Sequence, residues 1–321
     1  MGKNAEPTYV VGFDLGGTKM LAAVMDHQDT ILGRAKRKTK AQEDPEVIYG
    51  RIAGTIDDAL QEAGITKSQL LGIGIGSPGP LDSKKGVILE TPNLNMHHFP
   101  LADRLKKDFG CPVVLENDVS TGTYGEFMFG AGKGYKHVLG VFPGTGIGGG
   151  LVLDGKLYTG ATGAAGEVGH MILVPHGPMC GCGQQGCLEA VASRTAIAKD
   201  MIHLAASGDA PSVYDKAGTD LKKVTSGVIL QAVDANEKKA KAAVTRAAEY
   251  VGLAVANCVN LLSPEIVIIG GGLVEKLGEF YLDTIERTMK QYALPFLVKN
   301  VKIVPAKLGD DAVFRGGAAL V

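Results

Sequence analysis

Two segments of this chain share one pattern: an apolar strand runs into a glycine turn, and a second apolar strand leaves it. The first is Tyr9-Val-Val-Gly-Phe-Asp14-Leu-Gly-Gly-Thr-Lys19, continued by Met20-Leu-Ala-Ala-Val-Met25. The second is His137-Val-Leu-Gly-Val-Phe142, the turn Pro143-Gly-Thr-Gly-Ile-Gly-Gly-Gly150, and Leu151-Val-Leu153. Each reads as a β-hairpin. A hairpin of one kind at the head of each half restricts the chain to a duplicated α/β fold. Helical spacing follows the first hairpin, with Val47, Ile48, Ile52, Ile56, Ala59 and Leu60 along residues 45–63. Further helices are expected over 101–109, 237–262 and 311–321, and short buried strands at Leu71–Ile75, Val113–Leu115 and Ile266–Ile269. The last of these strands enters a third glycine turn at 270–272. With no Pro- or Ser-rich linker, the boundary is placed near residue 118. Residues 1–118 then form an N-terminal α/β domain completed by the C-terminal helix 311–321, and 119–310 a larger C-terminal α/β domain.

Composition narrows the function classes. At 45% hydrophobic residues the chain has enough apolar surface for a core, which excludes disorder. A net charge of −1 argues against nucleic acid or an anionic membrane as partner, because both call for a basic surface. The N-terminal residues hold no apolar signal-peptide core, and no run reaches the ~18 apolar residues of a membrane helix. An odd number of cysteines, five, fits reduced thiols and a cytoplasmic protein. Glycine is about twice as frequent as usual, and it clusters in a few loops, where backbone is expected to press against a ligand.

A glycine turn between strands aims several N–H groups one way and makes a site for anions, above all phosphate. Gly16, Gly17, Thr18 and Lys19 compose the first such turn; Gly144, Thr145 and Gly146 the second; Gly271 and Gly272 the third. Asp14 ends the first strand, and a carboxylate beside phosphate needs a cation between them, for which Mg²⁺ is the natural choice. Neither hairpin turn is a Walker A or dinucleotide loop, since each returns to a strand. Cys180, Cys182 and Cys187 lie on one loop with glycines at 181, 183 and 186, a donor set suited to tetrahedral Zn²⁺. His170 and His176 are both near enough in sequence to be the fourth ligand. Four protein ligands leave no open position, so the zinc would be structural. Asp118, after the strand at 113–115, is an ordinary helix N-cap by residue type.

Asp14-Leu-Gly-Gly-Thr-Lys19, Gly144–Gly150, Gly166-Glu-Val-Gly-His170 and Cys180-Gly-Cys-Gly-Gln-Gln-Gly-Cys-Leu-Glu189 together resemble the ROK family of sugar kinases. The resemblance extends from Val11 to the C-terminal segment GDDAVFRGGAAL. It implies a two-domain actin-like, ribonuclease-H-like ATPase fold with a central ligand cleft, and ATP with Mg²⁺ as phosphoryl donor. It makes Asp118 the catalytic base in place of a cap, and His170 the zinc ligand in place of His176. Gly79, Asn93, Asn117, Asp118, Glu167, His170 and Glu189 become the sugar-binding residues. The reaction it implies is phosphorylation of a hexose at the C6 hydroxyl, glucose to glucose 6-phosphate first. N-acetylglucosamine, N-acetylmannosamine, fructose, mannose and allose are the alternatives, and polyphosphate is an alternative donor. The family also holds sugar-responsive repressors, but Asp14 stands too early for a DNA-binding domain to precede it. A homodimer or homotetramer is the implied assembly.

Overall fold

The computed structural model describes residues 8–91 and 94–321. The chain divides into two compact units. One runs through Gly134 and takes in Gly150–Ala165 and Lys307–Val321; the other comprises Tyr135–Gly149 and Gly166–Ala306. Residues 119–134, expected in the second half, therefore belong to the first unit.

The first unit is built on a sheet of β1 (Tyr9–Leu15), β2 (Lys19–Met25), β3 (Ile31–Lys38), β4 (Leu70–Ser77) and, after a small antiparallel sheet of β5 (Leu81–Asp82), β6 (Val87–Thr91) and β7 (Leu94–Phe99), β8 (Val113–Asn117). The order is β3-β2-β1-β4-β8. β1 and β2 form the expected antiparallel hairpin, and β1, β4 and β8 run parallel. Helix α1 (Pro45–Ala63) buries Ile48, Ile52, Ile56 and Leu60, one stripe at four-residue spacing. Each such side chain contributes about 1.5–3 kcal/mol relative to exposure. Asp44 caps α1 by accepting from Glu46 N, Pro45 opens it, and Gly64 closes it in the left-handed region. α2 (Leu101–Phe109) and α3 (Asp118–Phe129) flank β8. The C-terminal helix Ala312–Ala319 lies flush on the sheet. A Cβ on Gly12 would stand 1.8 Å from Phe314 O, and one on Gly74 1.8 Å from Gly317 O. Only strands that present bare backbone there admit the helix so closely.

The second sheet repeats the order: β11-β10-β9-β12-β13, with β9 (Val138–Pro143), β10 (Ile147–Leu153), β11 (Lys156–Leu157), β12 (Ile266–Ile269) and β13 (Lys302–Pro305). β12 runs parallel to both β9 and β13. Short helices α4 (Leu188–Ala192), α5 (Arg194–Ala206), α6 (Pro211–Ala217) and α7 (Ser226–Asp234) precede the long α8 (Lys238–Leu262) and α9 (Gly272–Tyr292). The buried face of α8 is rich in alanine, and Gly252 faces Thr288 and Ile285 of α9. Small residues at that contact let two long helices approach closely. No described helix is long and apolar enough to cross a membrane.

Candidate active site

In the first unit, parallel strands bring three chain positions to one sheet edge. Asp14 at the end of β1 faces Gly76 of β4, and Ser77 faces Asn117 of β8. A Cβ on Gly76 would stand 3.3 Å from Asp118 Cα, so the bare strand lets the start of α3 come alongside. Burial, then the charge of Asp118, push the Asp14 carboxyl up to about 7; Asp310 adds to this and Lys19 opposes it. Lys19 Nζ is paired with Asp310, whose carboxyl it holds below the usual range. Asp118 and Asp310 both act on Asp14, while Lys19 and Lys36 act on Asp310; clustered carboxylates of this kind are the setting in which a divalent cation binds through oxygen.

In the turn beside Asp14, the carbonyls of Gly16, Thr18 and Lys19 are occupied from behind. Gly16 N donates to Lys19 O at 3.1 Å, Thr39 N to Thr18 O at 2.9 Å, and Thr39 Oγ1 to Gly16 O at 2.5 Å. The N–H groups of Gly17 and Thr18 keep no protein acceptor among the described residues. Open N–H groups side by side in a turn make a concavity suited to an anion.

The start of α3 agrees with setting the cap reading of Asp118 aside. Asn117, not Asp118, is the N-cap: its Oδ1 accepts from Val119 N and Ser120 N, both at 3.0 Å. Asp118 is the first helical residue, and its Oδ1 also accepts from Val119 N, at 2.9 Å. The Asn117 amide nitrogen is directed toward Gly79, where an added Cβ would lie 3.8 Å away. Glu116, buried and not singled out by the sequence, accepts through one oxygen from Asn117 N at 2.8 Å and Ser83 Oγ at 3.1 Å. Its burial pushes its pKa up. It ties the Ser83 loop to the strand end that carries Asn117 and Asp118. Asn93 lies outside the described residues.

In the second unit the turn after β9 repeats the chemistry of the first. Gly144 N donates to Gly146 O at 2.8 Å, Arg194 N to Gly144 O at 2.9 Å, and Thr195 Oγ1 to Thr145 O at 2.7 Å. Thr195 thus does for Thr145 what Thr39 does for Gly16. Gly271, at φ 88°, abuts this turn, where an added Cβ would meet Pro143 O at 2.7 Å. Gly272 begins α9, whose first segment is short because Gly278, at φ 57°, is non-helical and kinks the helix there.

Glu189, in the first turn of α4, links this turn to the cysteine loop. Its Oε2 accepts from Ile147 N at 2.9 Å, and Cys180 Sγ lies 3.8 Å from its Oε1. Gly169 is held where an added Cβ would stand 1.9 Å from Ile147 O, which seats the 166–170 segment against β10. On its short 3₁₀ turn His170 directs Nε2 to within 3.9 Å of Glu167 Oε2. Glu167, His170 and Glu189 therefore form one connected group. Donor atoms of His170, Cys180, Cys182 and Cys187 all lie within 4.8 Å of one another. Cys182 Sγ is 3.7 Å from Cys187 Sγ, and Cys180 Sγ 3.7 Å from His170 Nδ1. A tetrahedron with metal–sulfur bonds of about 2.3 Å has edges of about 3.8 Å. The set fits a tetrahedral ion and selects His170 over His176. The Gln184 N–H lowers the Cys182 thiol pKa, while burial pushes Cys187 up to about 12.

The chain is similar to known proteins along nearly its whole length. The chain is 37% identical to a glucokinase of Halalkalibacterium halodurans, over 98% of this chain and 94% of that one. It is 31% identical to a xylose repressor of Caldicellulosiruptor bescii, over 99% of this chain and 79% of that one. The structure is similar to that of a Streptomyces griseus glucokinase in complex with glucose and AMPPNP, with TM-score 0.81 and 32% identity over 98% of this chain and 99% of that one. The actin-like α/β architecture expected from the sequence is thus the observed one. The ROK family profile matches residues 10–321, and the chain belongs to the ROK family.

Proposed function

We propose that the protein is an ATP-dependent glucokinase that transfers the γ-phosphoryl group to the C6 hydroxyl of glucose. The observation that carries this reading is the Asp14–Asp118 pair at one sheet edge, beside a turn in which the Gly17 and Thr18 N–H groups are open. The likeness to glucokinases over nearly the whole chain supports glucose as the hexose.

In this account Asp118 accepts the C6 hydroxyl proton while that oxygen attacks the γ-phosphorus. The bond from phosphorus to the bridging oxygen breaks, and ADP leaves with that oxygen. Asn117, Gly79, Glu167, His170 and Glu189 orient the sugar, with Asn93 assigned to the same role from the sequence. Carboxylates and amides suit vicinal hydroxyls because they offer paired hydrogen bonds. Gly16, Gly17, Thr18 and Lys19, with Gly144, Thr145, Gly146, Gly271 and Gly272, receive the nucleotide phosphates through backbone N–H groups, hydroxyls and one ammonium. Asp14 would hold Mg²⁺, which when bound neutralises charge that develops on the phosphoryl oxygens. ³¹P NMR of the product tests the assignment. It is expected to give one phosphomonoester coupled to the C6 protons; a product phosphorylated at C1 would contradict it.

His170, Cys180, Cys182 and Cys187 would hold a structural Zn²⁺ through His170 Nδ1, leaving Nε2 toward Glu167. The ion's part is to fix the 170–189 loop on which the sugar-orienting groups sit. Cys182→Ser is expected to lose the metal and to weaken hexose affinity by about tenfold or more, since disturbed metal surroundings cost that much. Nucleotide affinity should hold. Metal analysis of wild-type protein, made with zinc supplied, checks the premise; less than half an equivalent would contradict it.

A sugar-responsive regulator is the second reading, favoured by the likeness to a xylose repressor. Turnover decides between them.

A further inference from the structure

We propose that Arg194 is a direct contact for the phosphates of the phosphoryl donor, an inference that rests on reading the 144–146 turn as a phosphate site. Arg194 is the first residue of α5, capped by Ser193, whose Oγ accepts from Ala196 N at 3.1 Å. Its own N–H holds Gly144 O, and its Nη2 donates to Thr145 Oγ1 at 2.6 Å. The guanidinium has five donors, of which one is used on Thr145. No described carboxylate lies within ion-pair distance of it.

Two features of this placement call for an anion. A cation in the first turn of a helix stands against the helix dipole, and α5 has no acidic residue in that turn to offset it. An anion bound at the turn would reverse that penalty. The bond from Arg194 also sets the direction of the Thr145 hydroxyl. Thr145 Oγ1 accepts from the guanidinium, Thr145 O accepts from Thr195 Oγ1, and Gly144 O accepts from Arg194 N. The hydroxyl proton and the N–H groups of Thr145 and Gly146 are the donors left, and the rest of the guanidinium fork stands beside them. A planar fork next to open N–H groups matches the oxygens of a phosphate chain. Nothing local marks this pairing, since Arg194 stands 49 residues from Thr145.

The test is titration of the full-length protein with a non-hydrolysable ATP analogue and Mg²⁺, for wild type, Arg194→Ala, Arg194→Lys, Arg194→Gln, Thr145→Ala and the double variant Arg194→Ala with Thr145→Ala. Arg194→Ala is expected to weaken analogue binding by at least about tenfold, the loss typical of a charged hydrogen bond. Arg194→Lys should recover part of that, and hexose affinity should stay within about twofold, as for an independent site. The dependence of analogue affinity on salt should become shallower. Arg194→Gln keeps much of the length and polarity without the charge, and serves if the alanine variant fails to fold. Equal analogue affinity for wild type and the folded Arg194 variants would overturn the inference while leaving the phosphate reading in place. So would loss of any Arg194 effect in the Thr145→Ala background, because Arg194 would then act only by holding Thr145. Failure of the wild type to bind the analogue would overturn the phosphate reading and the inference together.

Discussion

Asp118→Asn is expected to lower kcat by about 10²–10⁴, the usual contribution of a general base, with little change in fold or hexose affinity. The structure explains why the two effects separate. Helix α3 is capped by Asn117, so the change at Asp118 leaves the cap intact. An asparagine oxygen can still accept from Val119 N, as Asp118 Oδ1 does. The capacity to take a proton is removed. The substitution also withdraws a charge that helps to raise the Asp14 pKa, so Asp14 should ionise at lower pH in the variant. Steady-state kinetics beside a thermal melt are the measurement. Retention of more than about a tenth of wild-type kcat would remove Asp118 from the role of base.

Asp14→Asn is expected to abolish turnover and yet to stabilise the ligand-free protein above neutral pH. Burial, Asp118 and Asp310 raise the Asp14 carboxyl from 3.8 to about 7. The folded state therefore holds the proton more tightly than the unfolded state. Below the unfolded pKa both states carry it, and the shift has no effect on stability. As pH rises from about 4 to about 7 the unfolded chain ionises first and stability falls. Above about 7 the buried charge costs as much as about 4 kcal/mol, from roughly 1.4 kcal/mol per pKa unit. Asparagine keeps the volume without the charge. Urea unfolding without nucleotide or Mg²⁺ should show the variant more stable by about 2–4 kcal/mol at pH 8, with the gap closing toward pH 4.5. A variant less stable than wild type at pH 8 would contradict the account. The destabilisation is expected where a fold holds charges together for a metal and phosphate.

The features legible in the sequence were those that one short segment settles alone. Both glycine hairpins were readable because alternating apolar residues and a glycine turn admit few other conformations. Three cysteines on a glycine-rich loop likewise announce a metal site, although spacing could not choose His170 over His176. A cap at Asn117 cannot be told from one at Asp118 by residue type, because Asn and Asp are equally good caps and a one-residue shift of the helix start moves the role between neighbours. The short strands of the β5-β6-β7 sheet were missed, being too brief for a period to show. Long-range pairs were not readable at all. Lys19 with Asp310 spans 291 positions and Thr39 with Gly16 spans 23, and nothing local marks either. Yet Lys19 and Asp310 both bear on the charge at Asp14, and Thr39 holds the first turn by its carbonyls.

The most direct test of the account is ADP release from ATP and Mg²⁺, measured against a panel of glucose, mannose, fructose, allose, N-acetylglucosamine and N-acetylmannosamine, with a no-sugar control. Glucose is expected to give the highest kcat/KM, with one glucose 6-phosphate formed per ADP and slow release without sugar. No sugar-dependent release with any member of the panel, from folded protein that binds glucose, would contradict it and leave a sugar-binding regulator as the better description.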